Sequence, residues 1–239
     1  MNEMKTRLRK KTWDAIRAAG AARFPGTHGR IPHFVGAEAA ARHLQTRPEW
    51  KSARRIKCNP DLPQREVRRA ALVAGKVVYL AVPRLIEPKP FIILDPTVIP
   101  PEAYWTASSI KGAFQWGRPV ALDEMELIDL IVTGCVAVGA DGTRLGKGGG
   151  YSDLEFGLLR ESNLVTDDVP VATTIHPVQQ YPAGVVPRAS HDVTIDIVAT
   201  PDGVDRIPRN GLRPSGIIMD VLSDEKRRSI PVLGGDDTA

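Results

Sequence analysis

The stretch Leu127-Ile128-Asp129-Leu130-Ile131-Val132-Thr133-Gly134-Cys135-Val136-Ala137-Val138 runs toward Gly142-Thr143-Arg144-Leu145-Gly146-Lys147-Gly148-Gly149-Gly150, which leads directly into Tyr151-Ser152-Asp153. The first segment is the most apolar in the chain and reads as a central buried strand. Tyr151 to Glu161 reads as a helix. A strand that hands over to a helix through glycines gathers backbone N–H groups and a helix N-terminus around one point, a common physical solution for holding phosphate oxygens. Glycine permits close approach and positive φ. Arg144 and Lys147 add two cations, one able to grip a phosphate bidentately and one acting as a point charge.

The loop is not a Walker A motif. The interval from Gly142 to Gly146 is too short, and Gly148 stands where a Ser or Thr would follow the lysine. Nor is it a dinucleotide fingerprint, because Tyr151 occupies the place of the last glycine. The alternative is a flexible turn with two solvated charges, but the four glycines between 146 and 150 carry a large conformational-entropy cost. Asp153 falls in the first turn of the following helix, where a carboxylate can cap the helix or hold a Mg²⁺ that bridges phosphates. Sequence alone leaves both open.

Outward from the loop, apolar runs alternate with amphipathic ones. Lys5 to Ala19 reads as a helix ended by Gly20, with Leu8, Trp13 and Ile16 on a partial apolar face. Its first turns carry Lys5, Arg7, Arg9, Lys10 and Lys11, charges that oppose the helix dipole and suit an anionic partner or a solvated basic tail. Phe24 to Phe34 reads as loop. Helices are expected at Gly36 to Leu44 and Pro63 to Ala74, with a short one around Ala107 to Phe114. Strands are expected at Ala53 to Cys58, Val77 to Val82, Phe91 to Leu94, Val171 to Ile175 and Val193 to Thr200. This alternation predicts βα units, an α/β fold with an open, mostly parallel sheet flanked by helices. One domain over residues 1–233 with a disordered tail at 234–239 is expected.

Composition is that of a globular protein: 239 residues, 42% hydrophobic, 25% charged. The net charge of +4 favours an anionic ligand or marks a mildly basic surface. No apolar run approaches the ~18 residues of a membrane span, and no apolar segment follows the basic start, so a cytoplasmic protein with no membrane partner is expected. Cys58 and Cys135 have no metal-ligand spacing, and Cys135, inside an apolar run, reads as a small buried hydrophobe. Arg65, Arg68 and Arg69 at i, i+3, i+4 put three cations on one helix face, available to an acidic tail or to solvent.

At the loop the chain resembles the 5-formyltetrahydrofolate cyclo-ligase family, also called methenyltetrahydrofolate synthetases. The family's R-L-G-x-G-x-G-Y-Y-D signature is met by Arg144-Leu145-Gly146-Lys147-Gly148-Gly149-Gly150-Tyr151-Ser152-Asp153. Its K-x-x-[LI]-R element in the first helix is met by Lys5, Leu8 and Arg9, and its late H-D-x-x-[VI]-D segment by His191-Asp192-Val193-Thr194-Ile195-Asp196. Departures are Ser152 for the second tyrosine and Leu154-Glu155-Phe156 where a basic residue is common. Asp-Leu-Glu after the loop looks like the divergent branch of methenyltetrahydrofolate synthetase domain-containing proteins.

The resemblance implies a Rossmann-like open sheet of the coenzyme A transferase-like kind, with ATP and Mg²⁺ as cofactors. It also implies cyclisation of a folate substrate, 5-formyltetrahydrofolate, to 5,10-methenyltetrahydrofolate with release of ADP and phosphate. Nucleotide contacts would fall on Lys5, Arg9 and Arg144, Leu145, Gly146, Lys147, Gly148, Gly149, Gly150, Tyr151 and Ser152, with Arg144 and Lys147 stabilising the reacting phosphate. Magnesium would fall on Asp153 and Asp192, and the folate-site carboxylate on Asp61. Two other readings stay open: an ATP-binding relative with a different substrate, and a non-catalytic module associated with nucleic acid. Oligomeric state is not legible.

Overall fold

The computed structural model describes residues 2–209 and 211–234. In chain order the elements are α1 (Asn2–Ala18), α2 (Ala37–Gln45), α3 (Pro48–Ser52), β1 (Arg55–Cys58), α4 (Arg65–Val73), β2 (Val77–Ala81) and β3 (Phe91–Leu94). There follow α5 (Tyr104–Ala107), α6 (Ile110–Trp116), β4 (Arg118–Val120), β5 (Leu130–Val132), β6 (Ala137–Gly139), β7 (Arg144–Leu145) and α7 (Tyr151–Glu161). The last are β8 (Val171–Thr174), β9 (Gln180–Tyr181), β10 (Ile197–Thr200), β11 (Gly203–Arg206) and α8 (Asp224–Ser229). Eight strands form one sheet in the order β11-β10-β8-β5-β1-β2-β3-β4. The central five are parallel, and antiparallel strands close both edges. The expected α/β fold with a mostly parallel, helix-flanked sheet is the one observed.

Alternation of side chains along each strand divides the interior into two cores. Ile56, Cys58, Val78, Leu80, Leu130, Val132, Ala172, Ile197 and Ala199 face one way, with Leu44 of α2 and Val67, Ala71 and Leu72 of α4. Tyr79, Ala81, Ile131, Val171 and Val198 face the other, with Leu154, Phe156, Leu158 and Leu159 of α7. Lys57 lies between Ile56 and Cys58, so the same alternation turns it toward α7. Both cysteines are buried, and burial pushes each thiol up to about 11, so neither is a nucleophile near neutral pH.

The Leu127–Val138 run is not one strand. It divides into β5 in the main sheet and β6 in a second sheet of order β7-β6-β9. The break falls at Gly134, where a Cβ would lie 2.8 Å from Ile31 and 2.9 Å from Gln64. A continuous apolar run carries no mark of such a crossing, because both halves are buried. Two other expectations also need adjusting. The helix expected around Ala107 to Phe114 is two helices, α5 and α6. The strand expected from Val193 begins only at Ile197, the preceding residues bonding to loops, as Ile195 N–H does to Gly142. The tail from residue 235 lies outside the described residues. Among the described residues no helix is long and apolar enough to cross a membrane.

The basic face of α4 is not a free stripe either. Arg68 is buried and donates to the carbonyls of Asn59, Pro60, Asp61 and Ser108. Arg65 lies 3.9 Å over the Trp105 ring and donates to the Trp105 carbonyl. Arg68 therefore shapes the 59–61 loop from below.

After β11 the chain returns along the α7 side of the sheet. Arg209 and Arg213 both reach Asp196, at 3.0 and 2.5 Å, and Asp196 also accepts the Val171 N–H at 2.8 Å. Burial alone would raise the Asp196 pKa. The Arg209 bond, the charge and bond of Arg213 and the Val171 N–H outweigh it and hold the carboxyl below its ordinary 3.8. Its stabilising effect is therefore complete above that ordinary value and disappears as pH falls through the lower folded value. Asp196→Asn should cost about 3–5 kcal/mol, the usual loss when one partner of a buried ion pair is removed. In chemical denaturation from pH 7 to pH 2, the variant's stability should fall less steeply than the wild type's below about pH 4.

Candidate functional site

A cleft of about 510 Å³ opens between the glycine loop with the start of α7 on one side and the turns after β1 and β2 on the other. Its walls include Asn59, Pro60 and Asp61, Val82 to Arg84, Gly146, Lys147, Gly149 and Gly150. Arg144, Tyr151, Ser152, Asp153 and Glu155 also line it. A second cleft of about 530 Å³ shares Gly29, Ile31, Pro60, Asp61, Ile110 and Lys147 with the first, and extends it past His28 and His33. The carboxyl ends of parallel strands are where open α/β sheets place ligands.

The loop is shorter than its sequence suggests. Arg144 and Leu145 form β7, which pairs back on β6, so the glycine segment proper is 146–150. Gly148 and Gly150 hold φ of 114° and 70°, a region that L side chains rarely adopt, and Gly150 caps α7 in the left-handed conformation. Leu145 differs from its expected cofactor contact. Its side chain is buried with Leu8, Ala137 and Val186, because alternation along β7 points it away from the cleft.

Arg144 also differs from expectation. It is 4% exposed, and its guanidinium is ion-paired with Asp153 and bonded to the Gly134 carbonyl. Burial would lower its pKa, but the charge and hydrogen bond of Asp153 win and the value is raised. Both of its partners are protein groups, although the residue still contributes to the cleft lining. It acts through Asp153, which also accepts the Val193 N–H at 3.0 Å. Of the two roles open to Asp153, capping is not the one seen, since α7 has no side-chain cap hydrogen bond; the carboxylate instead lines the cleft and pins the loop's far end.

The other sequence candidates converge. Along α1, Lys5 and Arg9 are half-buried beside Leu8, while Arg7 turns outward to Glu3. Lys5 Nζ lies 2.5 Å from Asp192 Oδ2, and Arg9 Nε donates to the Gly146 carbonyl at 2.8 Å. Burial lowers the Arg9 pKa, opposed by the charge of Asp192. Asp192 Oδ2 also accepts the Ala189 N–H at 2.6 Å, and His191 Nε2 is 3.6 Å from Oδ1. Lys147, 48% exposed along its side chain, crosses the cleft mouth to Asp61 at 3.1 Å. The Gly149 carbonyl accepts Lys226 at 2.5 Å, and the same ammonium stands 5.0 Å over the Tyr151 ring.

At and beneath the cleft floor stand Glu155, Asn59, Lys57 and Thr133, to which the sequence alone gives no role. Lys57 and Glu155 form a buried ion pair. Lys57 also donates to Asn59 Oδ1 at 2.7 Å, Asn59 donates to Ser152 Oγ at 3.3 Å, and Ser152 bonds Thr133 at 2.8 Å. Ser152 in place of tyrosine leaves room for this chain of contacts. The sequence signal is slight: Lys57 lies between Ile56 and Cys58 but follows Arg54 and Arg55, and Glu155 falls between Leu154 and Phe156 in a helix that carries other charges.

Magnesium would meet hard oxygen donors here, since Asp153 lines the cleft and both its bonds fall on Oδ1. Among the described residues no three His, Cys, Asp or Glu side chains form a cage. The donor set therefore suits an ion held by one or two carboxylates and completed by phosphate and water.

Comparison with known proteins bears on this geometry. The sequence model of the 5-formyltetrahydrofolate cyclo-ligase family matches residues 1–201. Methenyltetrahydrofolate synthase domain-containing proteins of Bos taurus and Mus musculus are 34% and 35% identical over 227 and 230 residues. Those alignments take in 95% and 96% of this chain but only 60% and 62% of the relatives, so the chain spans about three-fifths of their length. In fold it is similar to the 5,10-methenyltetrahydrofolate synthetase of Aquifex aeolicus, with a TM-score of 0.54, 20% identity and coverage of 88% of this chain and 96% of that one. The glycine loop, the cations of α1 and the paired carboxylates all lie inside the matched stretch, and the chain belongs to the 5-formyltetrahydrofolate cyclo-ligase family.

Proposed function

We propose that the chain binds ATP at the glycine loop and uses it to cyclise 5-formyltetrahydrofolate to 5,10-methenyltetrahydrofolate, releasing ADP and phosphate. The observation that carries this reading is the convergence on one cleft wall of the loop glycines, the N-terminus of α7 and Lys147, with Arg9 of α1 holding the loop by its Gly146 carbonyl and Lys5 beside it on Asp192. Family membership supplies the substrate class.

A formyl oxygen is a poor leaving group. Attack of that oxygen on the γ-phosphorus expels ADP and leaves the oxygen phosphorylated. The neighbouring folate nitrogen then adds to the formyl carbon and loses its proton, and phosphate departs with the formyl oxygen. The protein's work is to align these atoms and offset charge, with no covalent intermediate on a side chain. Loop amides at 146–150 hold phosphate oxygens. Lys147 is the mobile cation. Its pair with Asp61 is solvent-exposed and of a kind worth only about 0–1 kcal/mol, so the ammonium can exchange Asp61 for phosphate. That exchange would also free Asp61 for the ring nitrogens of a pterin. Lys5 and Arg9 set the loop's position through Asp192 and the Gly146 carbonyl. Asp153 and Asp192 would hold a Mg²⁺ bound to the triphosphate, which would neutralise charge there. Asn59 and Ser152, the latter braced by Thr133, offer polar groups to the substrate in the cleft lining.

Lys147→Ala should weaken Mg-ATP binding about tenfold, ~1.4 kcal/mol, in calorimetry with an unchanged melting temperature. Equal affinity would remove the loop from the nucleotide site. Purified protein should release ADP only when 5-formyltetrahydrofolate is present, with methenyl absorbance rising in step. ADP released without that absorbance would point to another substrate for the same ATP site. Asp153→Asn should abolish turnover, and because Arg144 loses its counter-charge, its melting temperature must be measured alongside. Full turnover in that variant would exclude Asp153 from the reacting site.

A further inference from the structure

The family match ends at residue 201, yet the chain after β11 returns to the glycine loop. This returning segment is fastened at several points. Arg209 and Arg213 clamp Asp196. Ile217 N–H bonds Glu161 Oε1 at 2.8 Å, and Ile230 is fully buried in the α7-side core. Helix α7 is built to receive it: Gly157 lies inside the helix, and a Cβ there would come within 3.0 Å of Ile217 and 3.1 Å of Gly216. Glycine inside a helix costs stability, and here it lets a second backbone pass against the helix. The relatives' alignments cover 95% and 96% of the chain, more than the family match does, so they share part of this segment.

At its end Ser223 caps α8, and α8 presents Lys226. Its ammonium is half-buried, bonded to the Gly149 carbonyl, over the Tyr151 ring, and within 3.1 Å of where a Gly150 Cβ would stand. A small cavity of about 70 Å³ beside it is lined by Gly150, Asp153, His191 and the segment itself. Lys226 reaches the last two loop glycines from this smaller cavity, which shares Gly150 and Asp153 with the cleft of about 510 Å³, so its ammonium stands beside the glycine segment that the ATP reading sets against phosphate. Its one polar partner among the described hydrogen bonds is a main-chain carbonyl, which an anion readily outcompetes.

We propose that Lys226, supplied from outside the family-matched region, is a phosphate-binding residue of the glycine-loop site, exchanging the Gly149 carbonyl for an oxygen of the bound triphosphate. The proposal rests on the ATP reading above and deepens it: the anion site is completed by a segment that the family model does not include. Burial lowers the Lys226 pKa, opposed by the charge of Asp153, as a half-desolvated ammonium awaiting a counter-ion would show.

The test is calorimetry of the full chain with Mg-ATP and, separately, inorganic tripolyphosphate, on wild type, Lys226→Gln, Lys226→Arg and Lys147→Ala, with melting temperatures measured in parallel. Glutamine keeps a donor for the Gly149 carbonyl and removes the charge. Lys226→Gln should lose about tenfold in affinity for both ligands at an unchanged melting temperature, as expected for one charge-assisted bond. Lys226→Arg should stay within about twofold of wild type. Equal affinity in Lys226→Gln beside a weakened Lys147→Ala would overturn this proposal and leave the ATP site standing. A loss for ATP but not for tripolyphosphate would overturn the phosphate assignment. A wild type that binds neither ligand would overturn both readings.

Discussion

The ion pair between the buried Arg144 and the cleft-lining Asp153 is the constraint on which the site depends. The two residues stand at opposite ends of the glycine segment, Arg144 on β7 and Asp153 in the first turn of α7. Four glycines between them give the backbone wide freedom, and an unrestrained loop of that kind would not keep its amides aimed at one point. The pair closes the loop like a staple. The Gly134 carbonyl and the Val193 N–H extend the staple to the strand crossing and to the segment before β10. Removing Asp153 would leave the Arg144 guanidinium buried without its counter-charge, so loop geometry and local stability are not separable here.

Around that staple the site holds its cations on partners that can be exchanged. Lys5 rests on Asp192, Arg9 on a loop carbonyl, Lys147 on Asp61 and Lys226 on another loop carbonyl. Such an arrangement keeps positive charge close to the loop without leaving it unsatisfied, and under the proposed function it would limit the reorganisation that a polyanion demands. The deeper pair, Lys57 and Glu155, is different. At 1% and 5% exposed, the residues are committed to each other. They fix α7 against the central strand and give an otherwise apolar core one specified polar contact, while Asn59 links that contact to the cleft floor.

Much of this was legible in the chain of residues. Period-two and period-3.6 patterns located α1, α2, β1, α4, β2, β3, α7 and β8 close to their observed bounds, because each buries one face or one stripe against a neighbour. The glycine run with its cations located the loop. What patterns did not reveal was where a buried segment changes sheets. Leu127 to Val138 is apolar throughout because β5 and β6 are both interior, and the crossing at Gly134 is set by Ile31 and Gln64, residues remote in sequence. The three arginines of α4 look equivalent by spacing, but Arg68 has loop carbonyls to satisfy and Arg65 has an indole to cover. The edge strands β4 and β11, Arg118-Pro119-Val120 and Gly203-Val204-Asp205-Arg206, carry little apolar signal because they lie partly exposed at the sheet's margins.

Local composition by itself determined that a strand, a flexible cationic loop and a helix would follow one another, and that helices and strands would alternate into an open sheet. Those features arise from backbone freedom and from hydrophobic periodicity, which act between near neighbours. Only the tertiary structure decided which charges face the cleft and which are locked inside: Arg144 turned inward to Asp153, Lys57 met Glu155, and Lys226 came back from the chain's far end to the loop. Burial and Coulomb pairing act through space between residues many positions apart, and their outcome becomes definite only when the packed sheet fixes the distances.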